Sequence, residues 1–396
     1  MTPDYVTPAD DHTITAASEH TAATPPTNTA AWLGPKHARL AVGPAPYTRP
    51  GPDEIVVRNH AVAINPLDWI LQEVGNIIYP WIRYPFVVGS DVAGQVVEVG
   101  AAVTRFAVGD RVLGFATGTD KDENTSAAGA FQSYSVVRER LASPIPDDLS
   151  FAQASVLPLA LSTAACGLFQ KNQLALDHPS ANPVPTGTTL LVWGGSTSVG
   201  ANAIQLAVAA GYEVITTASP RNFDYVVGLG ATRVVDYTSP TAVADVIAAF
   251  DGKTLAGAIA VGTGSSERCV EVVGACEGNR FIALASTPAS FDAVGNGRGR
   301  TARLARVMLR IGSSTAALLL KTRLRGIRTS TIWGSSLKND EVSTLVYESF
   351  LPSALAEGRF VAAPEAVVVG HGLDAVQLAL DTQRAGVSAR KVVVTL

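Results

Sequence analysis

The sequence predicts an α/β protein in which a doubly wound parallel sheet is joined to a second, β-rich domain. Three observations support this prediction. A strand–turn–helix–strand pattern runs from residue 188 to 218, strand and helix patterns alternate after it, and short apolar runs separated by turn signals precede it. The chain has 396 residues, of which 47% are hydrophobic and 16% charged, so it is long and apolar enough to form two globular domains.

Composition narrows the classes of partner and the compartment. The net charge of −4 gives no indication of binding to nucleic acid or to an anionic membrane. No apolar run reaches the roughly 20 residues of a membrane span, and the first residues lack the basic-then-apolar pattern of a signal peptide. The cysteines, Cys166, Cys269 and Cys276, make no disulfide framework and fit a reducing compartment. We therefore expect a cytoplasmic protein.

The first part of the chain has the pattern of a β-rich domain behind a disordered tail. Residues 1–27 are rich in Thr, Ala, Asp and Pro and show no periodicity, which predicts the tail. Short apolar runs interrupted by Pro, Gly and Asp then predict a barrel-like domain. Its strand patterns lie at residues 30–32, 54–62, 86–100, 106–114 and 131–137. A short helix is predicted to start near residue 65, and the polar, glycine-rich residues 117–130 are expected to form a mobile loop.

The second part alternates between strand and helix periodicity, which predicts a doubly wound parallel sheet. A helical pattern at 150–168 and a proline-rich connector at 172–187 lead into the central unit. After that unit, helices at 223–229, 243–250 and 267–273 alternate with strands at 233–237, 256–261, 280–285 and 327–333. Residues 291–328 are basic and are predicted to form a solvated helical face. A helix at 341–357 and a terminal strand at 390–396, which we expect to return to the first domain, complete the chain.

The central unit has the chemistry of a phosphate-binding turn. Its first strand ends at Trp193, a glycine- and serine-rich turn follows, and an alanine-rich helix begins near Gly200. A pyrophosphate binds where a helix begins, because free N–H groups and the helix dipole face it and small side chains let the backbone approach. Thr197 stands where the usual G-x-G-x-x-G motif has its middle glycine. The alternative is a Gly–Ser turn in another kind of α/β protein. The candidate contacts are Gly195, Ser196, Thr197, Ser198 and Val199.

Four motifs, in this order, resemble the medium-chain dehydrogenase/reductase superfamily. They are Asn65-Pro66-Leu67-Asp68, Val88-Gly89-Ser90-Asp91-Val92-Ala93-Gly94, Gly109-Asp110-Arg111-Val112 and Ser388-Ala389-Arg390-Lys391-Val392-Val393-Val394. The resemblance covers nearly the whole chain from Asn28 and is closest to the zinc-free quinone oxidoreductase and enoyl reductase branch. Residues 42–47, 61–69 and 218–224 are similar to the trans-acting enoyl reductases that work with fungal polyketide synthases.

This resemblance implies a division of the chain and the absence of metal. A GroES-like catalytic domain is expected at residues 28–158, a Rossmann dinucleotide-binding domain at 159–335, and a return to the catalytic domain at 336–396. Zinc-dependent relatives carry Cys where Asn65 stands and His-Glu where Ser90-Asp91 stand, and the closely spaced cysteines of a structural zinc are missing. We therefore expect no metal and no oxidation through a zinc alkoxide.

The residues after the second strand of the central unit favour NADPH over NADH. That strand ends without the carboxylate that bonds the ribose 2′-OH in NAD-binding proteins, and Ser219, Arg221 and Asn222 follow instead. The alternative is that Arg221 is only a surface charge at the start of a helix. The resemblance adds Tyr237 to this phosphate site. It also implies cofactor contacts from Thr163, Gly262, Thr263, Ala285 and Lys391.

The expected activity is transfer of a hydride from NADPH to the activated carbon–carbon double bond of an enone or enoyl thioester, without metal. Asn65 and Tyr79 are the candidate catalytic residues, and Tyr79 is the candidate proton donor. Trp69 and Phe131 are candidate substrate-binding walls, with ordinary core packing as the alternative. Asp68 is expected to cap the helix that starts beside it.

Other functions stay open at this point. NADPH-dependent quinone reduction needs the same kind of pocket, and a non-enzymatic NADPH-binding sensor would bind the cofactor without turnover. The expected partner is a small-molecule substrate or an acyl chain bound to a carrier protein, and the basic residues 291–328 are a candidate docking face for an acidic carrier. Nucleic acid and membrane are not expected as partners, and an oligomer is possible.

Overall fold

A computed structural model describes residues 26–396 apart from residues 36, 288, 289, 292, 293 and 295–297. The predicted tail at residues 1–27 therefore lies, as far as residue 25, outside the described residues. In the described chain the strands are β1 Asn28–Leu33, β2 Ala41–Ala45, β3 Glu54–Ala63, β4 Phe86–Val87, β5 Asp91–Val99, β6 Arg111–Phe115, β7 Tyr134–Arg138, β8 Ala142–Pro144, β9 Thr188–Trp193, β10 Glu213–Ala218, β11 Arg233–Asp236, β12 Thr254–Ala260, β13 Phe281–Leu284, β14 Arg328–Thr331, β15 Glu365–His371 and β16 Arg390–Thr395.

The α-helices of the described chain lie between and after these strands. They are α1 Pro66–Val74, α2 Phe151–Ala154, α3 Pro158–Phe169, α4 Ser198–Ala209, α5 Phe223–Gly228, α6 Ala242–Ala249, α7 Ser265–Ala275, α8 Arg300–Leu324, α9 Glu341–Ser343, α10 Leu351–Ala356 and α11 Val376–Ala385. A π-helical segment, Thr344–Phe350, joins α9 to α10 into one continuous helical stretch. This stretch corresponds to the helix predicted at 341–357.

The β-rich part consists of two sheets. A three-stranded sheet has the order β2-β1-β4, and a larger sheet has the order β15-β16-β3-β5-β6-β8 with β7 paired to β3. The long strand β3 pairs with β16, β5 and β7 along different parts of its length, and the ladder to β5 shifts register twice. Such irregularities bend a strand and let a sheet curl toward a barrel. This arrangement is the GroES-like domain that the resemblance predicts.

The second part is a six-stranded parallel sheet with the order β11-β10-β9-β12-β13-β14. Residues 189–193 of β9 are at most 4% exposed, because helices cover both faces of the sheet and a central strand is apolar on both sides. The strand order changes direction between β9 and β12, because β10 and β11 lie on one side of β9 and β12 to β14 lie on the other. The carboxyl ends of strands at such a reversal form the crevice in which ligands bind. The predicted Rossmann-type sheet is confirmed.

The end of the chain returns to the β-rich part, as predicted. Val393 and Val394 of β16 pair with Ala63 and Val62 of β3, and β15 pairs with β16 on its other side. Helix α11 then packs against α1. β15 and α11 are elements that the sequence patterns did not predict.

Two local predictions need correction. The helical pattern at 150–168 forms two helices, α2 and α3, since Pro158 begins a new helix and cannot continue the previous one. Residues 117–130 do not have the character of a free loop: residues 117–120 are buried, and the Thr119 carbonyl accepts the indole N–H of Trp81 at 3.0 Å. The stretch Phe151–Phe169 is long and apolar enough to cross a membrane by composition, but it is mostly buried in the core.

Candidate active site

The turn between β9 and α4 brings three backbone segments into close contact. Gly194 has φ +91°, and a Cβ there would lie 2.6 Å from the Val261 carbonyl oxygen at the end of β12. A Cβ at Gly200 would lie 2.2 Å from the Gly194 carbonyl oxygen. Only glycine permits both approaches, so the residues at 194 and 200 shape the turn and hold α4 against the sheet.

Thr197 caps α4 with its hydroxyl. The Thr197 hydroxyl donates to the Gly194 carbonyl at 2.7 Å and accepts the Gly200 N–H at 3.0 Å, so its hydrogen-bonding capacity is used within the turn. This explains why a threonine can stand where a glycine is usual. In the described chain the backbone N–H groups of Ser198 and Val199 have no partner. They are the first two amides of a twelve-residue helix, and together with the dipole they suit a phosphate group.

The residues predicted to read the ribose phosphate lie together at the ends of β10 and β11. Ala218 and Asp236 are neighbours in the sheet, so Ser219 and Tyr237 follow adjacent strand ends. The Asn222 amide donates to the hydroxyls of Ser219 at 3.2 Å and Ser388 at 3.1 Å.

A cavity of about 520 Å³ beside these residues is lined by both Arg221 and Arg390. Arg390 and Ser388 belong to the terminal segment of the chain, so the two parts of the fold meet at this cavity. Glu365 lines the same cavity, and its carboxylate lies 3.6 Å from the Arg390 guanidinium. Arg221 has no carboxylate partner among the described residues, so its guanidinium suits a phosphate group.

The other predicted cofactor residues surround the ends of β9, β12 and β13. The Gly262 N–H donates to the Ser286 hydroxyl at 2.8 Å, and the Ala285 N–H donates to the Ala260 carbonyl at 3.0 Å, which ties β12 to β13. Thr263 follows Gly262 and is exposed. Thr163 lies on α3, where its hydroxyl donates to the Leu159 carbonyl at 2.7 Å and packs against Gly334.

A buried polar cluster joins α1, β5 and β16. The Lys391 ammonium lies 3.0 Å from Asp91 Oδ2 and donates to Asn65 Oδ1 at 2.5 Å, while the Asn65 amide donates to Asp91 Oδ2 at 2.8 Å. Asp91 Oδ1 accepts the Leu159 N–H at 2.7 Å at the start of α3. All three side chains are at most 4% exposed. Both ends of the Asn65 side chain are engaged, so its clearest role is to position Lys391 and Asp91.

Asp68 caps α1, as predicted. Its carboxyl accepts the Asn65 N–H at 2.7 Å, and the side chain is 1% exposed. Burial raises the pKa of Asp68 to about 7, and the nearby charge of Asp91 adds to this effect, against the lowering by the Asn65 hydrogen bond and Lys391.

Tyr79 lies in an aromatic group with Trp81 and Trp333. Their ring centroids are 5.2 Å and 5.7 Å from that of Tyr79, and Trp333 is 43% exposed. Burial raises the pKa of the Tyr79 phenol, and the charges of Asp120 and Asp68 raise it further, so the hydroxyl stays protonated in any physiological buffer.

Asp120 and Lys338 form a buried ion pair that fixes Trp333. Lys338 is 2% exposed and its ammonium lies 2.6 Å from Asp120 Oδ1. The other oxygen of Asp120 accepts the Ser335 hydroxyl and the Trp333 indole N–H. Burial raises the pKa of Asp120, but the hydrogen bonds from Lys338 and Ser335 outweigh that effect and leave the pKa below its ordinary value.

The two predicted substrate walls have mainly packing contacts. The Trp69 indole N–H donates to Gln383 at 2.5 Å and its ring lies under the Arg384 guanidinium, so it joins α1 to α11. Phe131 is fully buried and packs on the backbone of Gly89, where a Cβ would lie 2.5 Å from the ring. These contacts favour the core-packing alternative for both residues.

Some residues of the site escaped the sequence analysis. Asp91, Asp120 and Lys338 were not singled out as site residues, and Trp333 was only the end of a strand. Asp91 offered one signal, because it is a carboxylate inside an otherwise apolar segment. Asp120 and Lys338 lie in polar segments, where nothing in the sequence marks them as buried. Among the described residues, no group of three or more His, Cys, Asp or Glu side chains is arranged to hold a metal ion.

Comparison with known proteins agrees with the fold. Residues 51–147 match the alcohol dehydrogenase GroES-like domain. The chain is 51% identical to the dehydrogenase pigH of Monascus ruber over 94% of this chain and 100% of that protein. It is 36% identical to the trans-enoyl reductase himH of Aspergillus japonicus over 93% and 97% of the two chains.

The fold recurs in a solved structure. An alcohol dehydrogenase superfamily protein from Novosphingobium aromaticivorans superposes with a TM-score of 0.69 at 23% identity, over 93% of this chain and 100% of the other. The chain belongs to the medium-chain dehydrogenase/reductase superfamily. It is therefore an oxidoreductase of a family that uses a nicotinamide cofactor.

Proposed function

We propose that the protein is a metal-free, NADPH-dependent reductase of an activated carbon–carbon double bond in an enone or enoyl thioester. The observation that carries the proposal is the buried Lys391 ammonium between Asn65 and Asp91. Zinc-dependent relatives hold their metal with side chains at positions 65 and 90–91. A divalent cation there would lie against an ammonium that already bonds the same carboxylate, and two like charges at this distance repel strongly in a buried site.

The cofactor fits the residues at the ends of β9 and β10. The free amides of Ser198 and Val199 would hold the pyrophosphate, and Ser219, Arg221, Asn222 and Tyr237 would hold the 2′-phosphate. We extend this second group by Arg390, which lines the same cavity as Arg221 and would exchange its ion pair with Glu365 for the phosphate. The strand end lacks a carboxylate that would repel the phosphate.

The chain's own residues then orient and protonate the substrate. When bound, the cofactor supplies the hydride. The Lys391 cluster holds the start of α1, β5 and α3 in one arrangement, so Thr163 on α3 keeps a fixed position relative to the rest of the site. The Tyr79 hydroxyl keeps its proton and can deliver it to the enolate carbon, with water as the alternative donor. Tyr79 and Trp333 offer an apolar wall beside that hydroxyl.

The similarity to a trans-enoyl reductase favours an enoyl thioester over a quinone. The test is oxidation of NADPH, followed by absorbance, with an enone, an enoyl thioester, a 1,4-quinone or an aldehyde as acceptor, with and without a chelator. Chelator-insensitive turnover of the enone or thioester is expected. Turnover of the quinone alone would replace the proposal with quinone reduction, and tight NADPH binding without turnover of any acceptor would support a sensor.

The cofactor preference has its own test in Arg221→Ala. Loss of one charge-assisted hydrogen bond at an exposed site costs about 1–2 kcal/mol, so the KM for NADPH is expected to rise about 5–30-fold. The KM for NADH should not change, because NADH has no 2′-phosphate. Arg49→Ala is the control, since Arg49 is exposed and pairs with Glu98. An equal effect on both cofactors would contradict the assignment.

A further inference from the structure

The crossover helix α8 has an outer face that no other part of the described chain covers. Of its 25 residues only Val307, Leu318 and Thr322 are buried. The outer face carries an apolar row, Leu309, Ala316, Leu320 and Leu324, which we call the outer stripe. The spacings of seven, four and four residues place the stripe on one side of the helix. Its three leucines are 60–78% exposed. A contiguous apolar row that is this exposed indicates a surface that binds a partner.

Positive charge borders the outer stripe on both sides. Residues 298–328 contain nine of the chain's 30 basic residues and none of its 34 acidic residues. Arg306, Arg310, Lys321 and Arg323 are exposed, and among the described residues no carboxylate pairs with them. We call these four side chains the basic rim. An uncompensated cluster of one sign in a chain of net negative charge selects an acidic partner.

The start of α8 lies on the side of the candidate active site. The helix follows β13, whose end carries Ala285, and leads through β14 to Trp333. In its first turn, Arg300 lies 3.9 Å from Glu73, which belongs to the helix that begins beside Asn65. Helix α1 has nine residues and is about 13 Å long, so the start of α8 lies about that far from Asn65. The outer stripe begins at Leu309, about 14 Å further along α8.

We propose that the outer stripe and the basic rim dock an acidic amphipathic helix of the carrier protein that presents the acyl thioester. This inference rests on the proposed function. The apolar row supplies the contacts that exclude water, and the rim supplies attraction and orientation. Gly312, Ser313 and Ala316 are small, so a second helix can approach the backbone of α8 closely between Leu309 and Leu320.

Other occupants fit this face less well. A second copy of the chain would bring one basic rim against another. A membrane-surface helix usually carries aromatic side chains on its apolar face, and there is no Phe, Trp or Tyr between residues 298 and 328. A nucleic acid would neutralise the rim but would leave the three leucines in water.

The experiment compares two substrates with the same acyl group. A 2-butenoyl group is presented on a small free thiol, N-acetylcysteamine, and on an acidic phosphopantetheinyl carrier protein. The rim variant is Arg306→Gln/Arg310→Gln/Lys321→Gln. The control variant, Arg39→Gln/Arg49→Gln/Lys171→Gln, makes the same change in net charge at exposed sites elsewhere.

The rim variant is expected to lower kcat/KM for the carrier-bound substrate about tenfold at low salt and to leave the small thioester unchanged. The loss should shrink at ~0.5 M salt, where screening weakens the attraction in the unmodified protein. A second variant, Leu309→Ser/Leu320→Ser, should show the same selectivity for the carrier-bound substrate with little dependence on salt. All variants change exposed side chains, so their melting temperatures should match that of the unmodified protein.

Several outcomes would overturn the proposal. One is an equal loss with both substrates, and another is an equal loss in the control variant. A third is an unchanged kcat/KM of the rim variant for the carrier-bound substrate. If, in addition, the unmodified protein sedimented with phosphatidylserine vesicles and the rim variant did not, the face would be assigned to a membrane. Absence of turnover of both thioesters and of an enone by the unmodified protein would refute the proposed function itself.

Discussion

Replacing Lys391 with methionine tests the buried cluster at the centre of the site. The methionine keeps most of the side-chain volume and removes only the ammonium. Asp91, which is fully buried, would keep the hydrogen bonds from Asn65 and Leu159 but lose its counter-ion. Breaking a buried ion pair on one side typically costs about 3–5 kcal/mol, because the remaining charge stays away from water. We expect a loss of this size in the free energy of unfolding.

The assay is equilibrium unfolding in urea, followed by tryptophan fluorescence and by circular dichroism so that both parts of the fold are observed. The double variant Lys391→Met/Asp91→Asn should recover part of the loss, since it removes both charges. We expect a coupling energy of about 2–3 kcal/mol in the double-mutant cycle. Lys253→Met is the control: its partner Glu213 is half exposed, and a surface pair is worth about 0–1 kcal/mol. A cost below about 1 kcal/mol for Lys391→Met, or additive effects in the cycle, would refute the reasoning.

Three further predictions concern the turn, the capped helix and the second ion pair. Gly200→Ala should destabilise the protein by about 1–3 kcal/mol and weaken NADPH binding measured by fluorescence, whereas Gly228→Ala, where a Cβ meets open space, should do neither. The pKa of Asp68 in the folded protein is raised to about 7, so its protonated carboxyl stabilises the fold fully below pH 4. This part of the free energy of unfolding is lost as the pH rises through 7, and Asp68→Asn should abolish that loss in urea unfolding experiments. The pKa of Asp120 is lowered, so its ion pair with Lys338 stabilises the fold above pH 4 and is lost at lower pH. The difference in Tm between the unmodified protein and Asp120→Asn should therefore shrink as the pH falls toward 3. A constant Tm difference across that range would contradict this.

Local patterns were enough to predict most of the parallel sheet. Strand and helix periodicities repeat within a few residues, so β9, α4 and β10 were visible in the sequence. The turn between β9 and α4 was visible for the same reason, because its glycines and hydroxyl residues are consecutive. The absence of a carboxylate after β10 is likewise a local fact, and the preference for NADPH that we propose depends on it.

Individual side-chain roles were less predictable. The hydroxyl of Thr197 was a candidate cofactor contact, but the structure shows it used in capping α4. The aromatic side chains of Trp69 and Phe131 are of a type that could line a substrate pocket, but in the structure both pack against neighbouring elements of the fold. A side chain's type does not reveal which way it points, because that depends on the elements packed around it.

The sequence by itself determined the fold class and the glycine-rich turn between β9 and α4, and it led to our expectation that the protein holds no zinc. Only the tertiary structure decided that Lys391 meets Asn65, which is 326 residues away, and that Lys338 meets Asp120 across 218 residues. The physical reason is that a buried charge is stable only beside a partner of opposite charge or a hydrogen-bonding group. Which partner is available depends on how β16 pairs with β3 and how the two parts of the fold close, and neither is encoded in a local pattern.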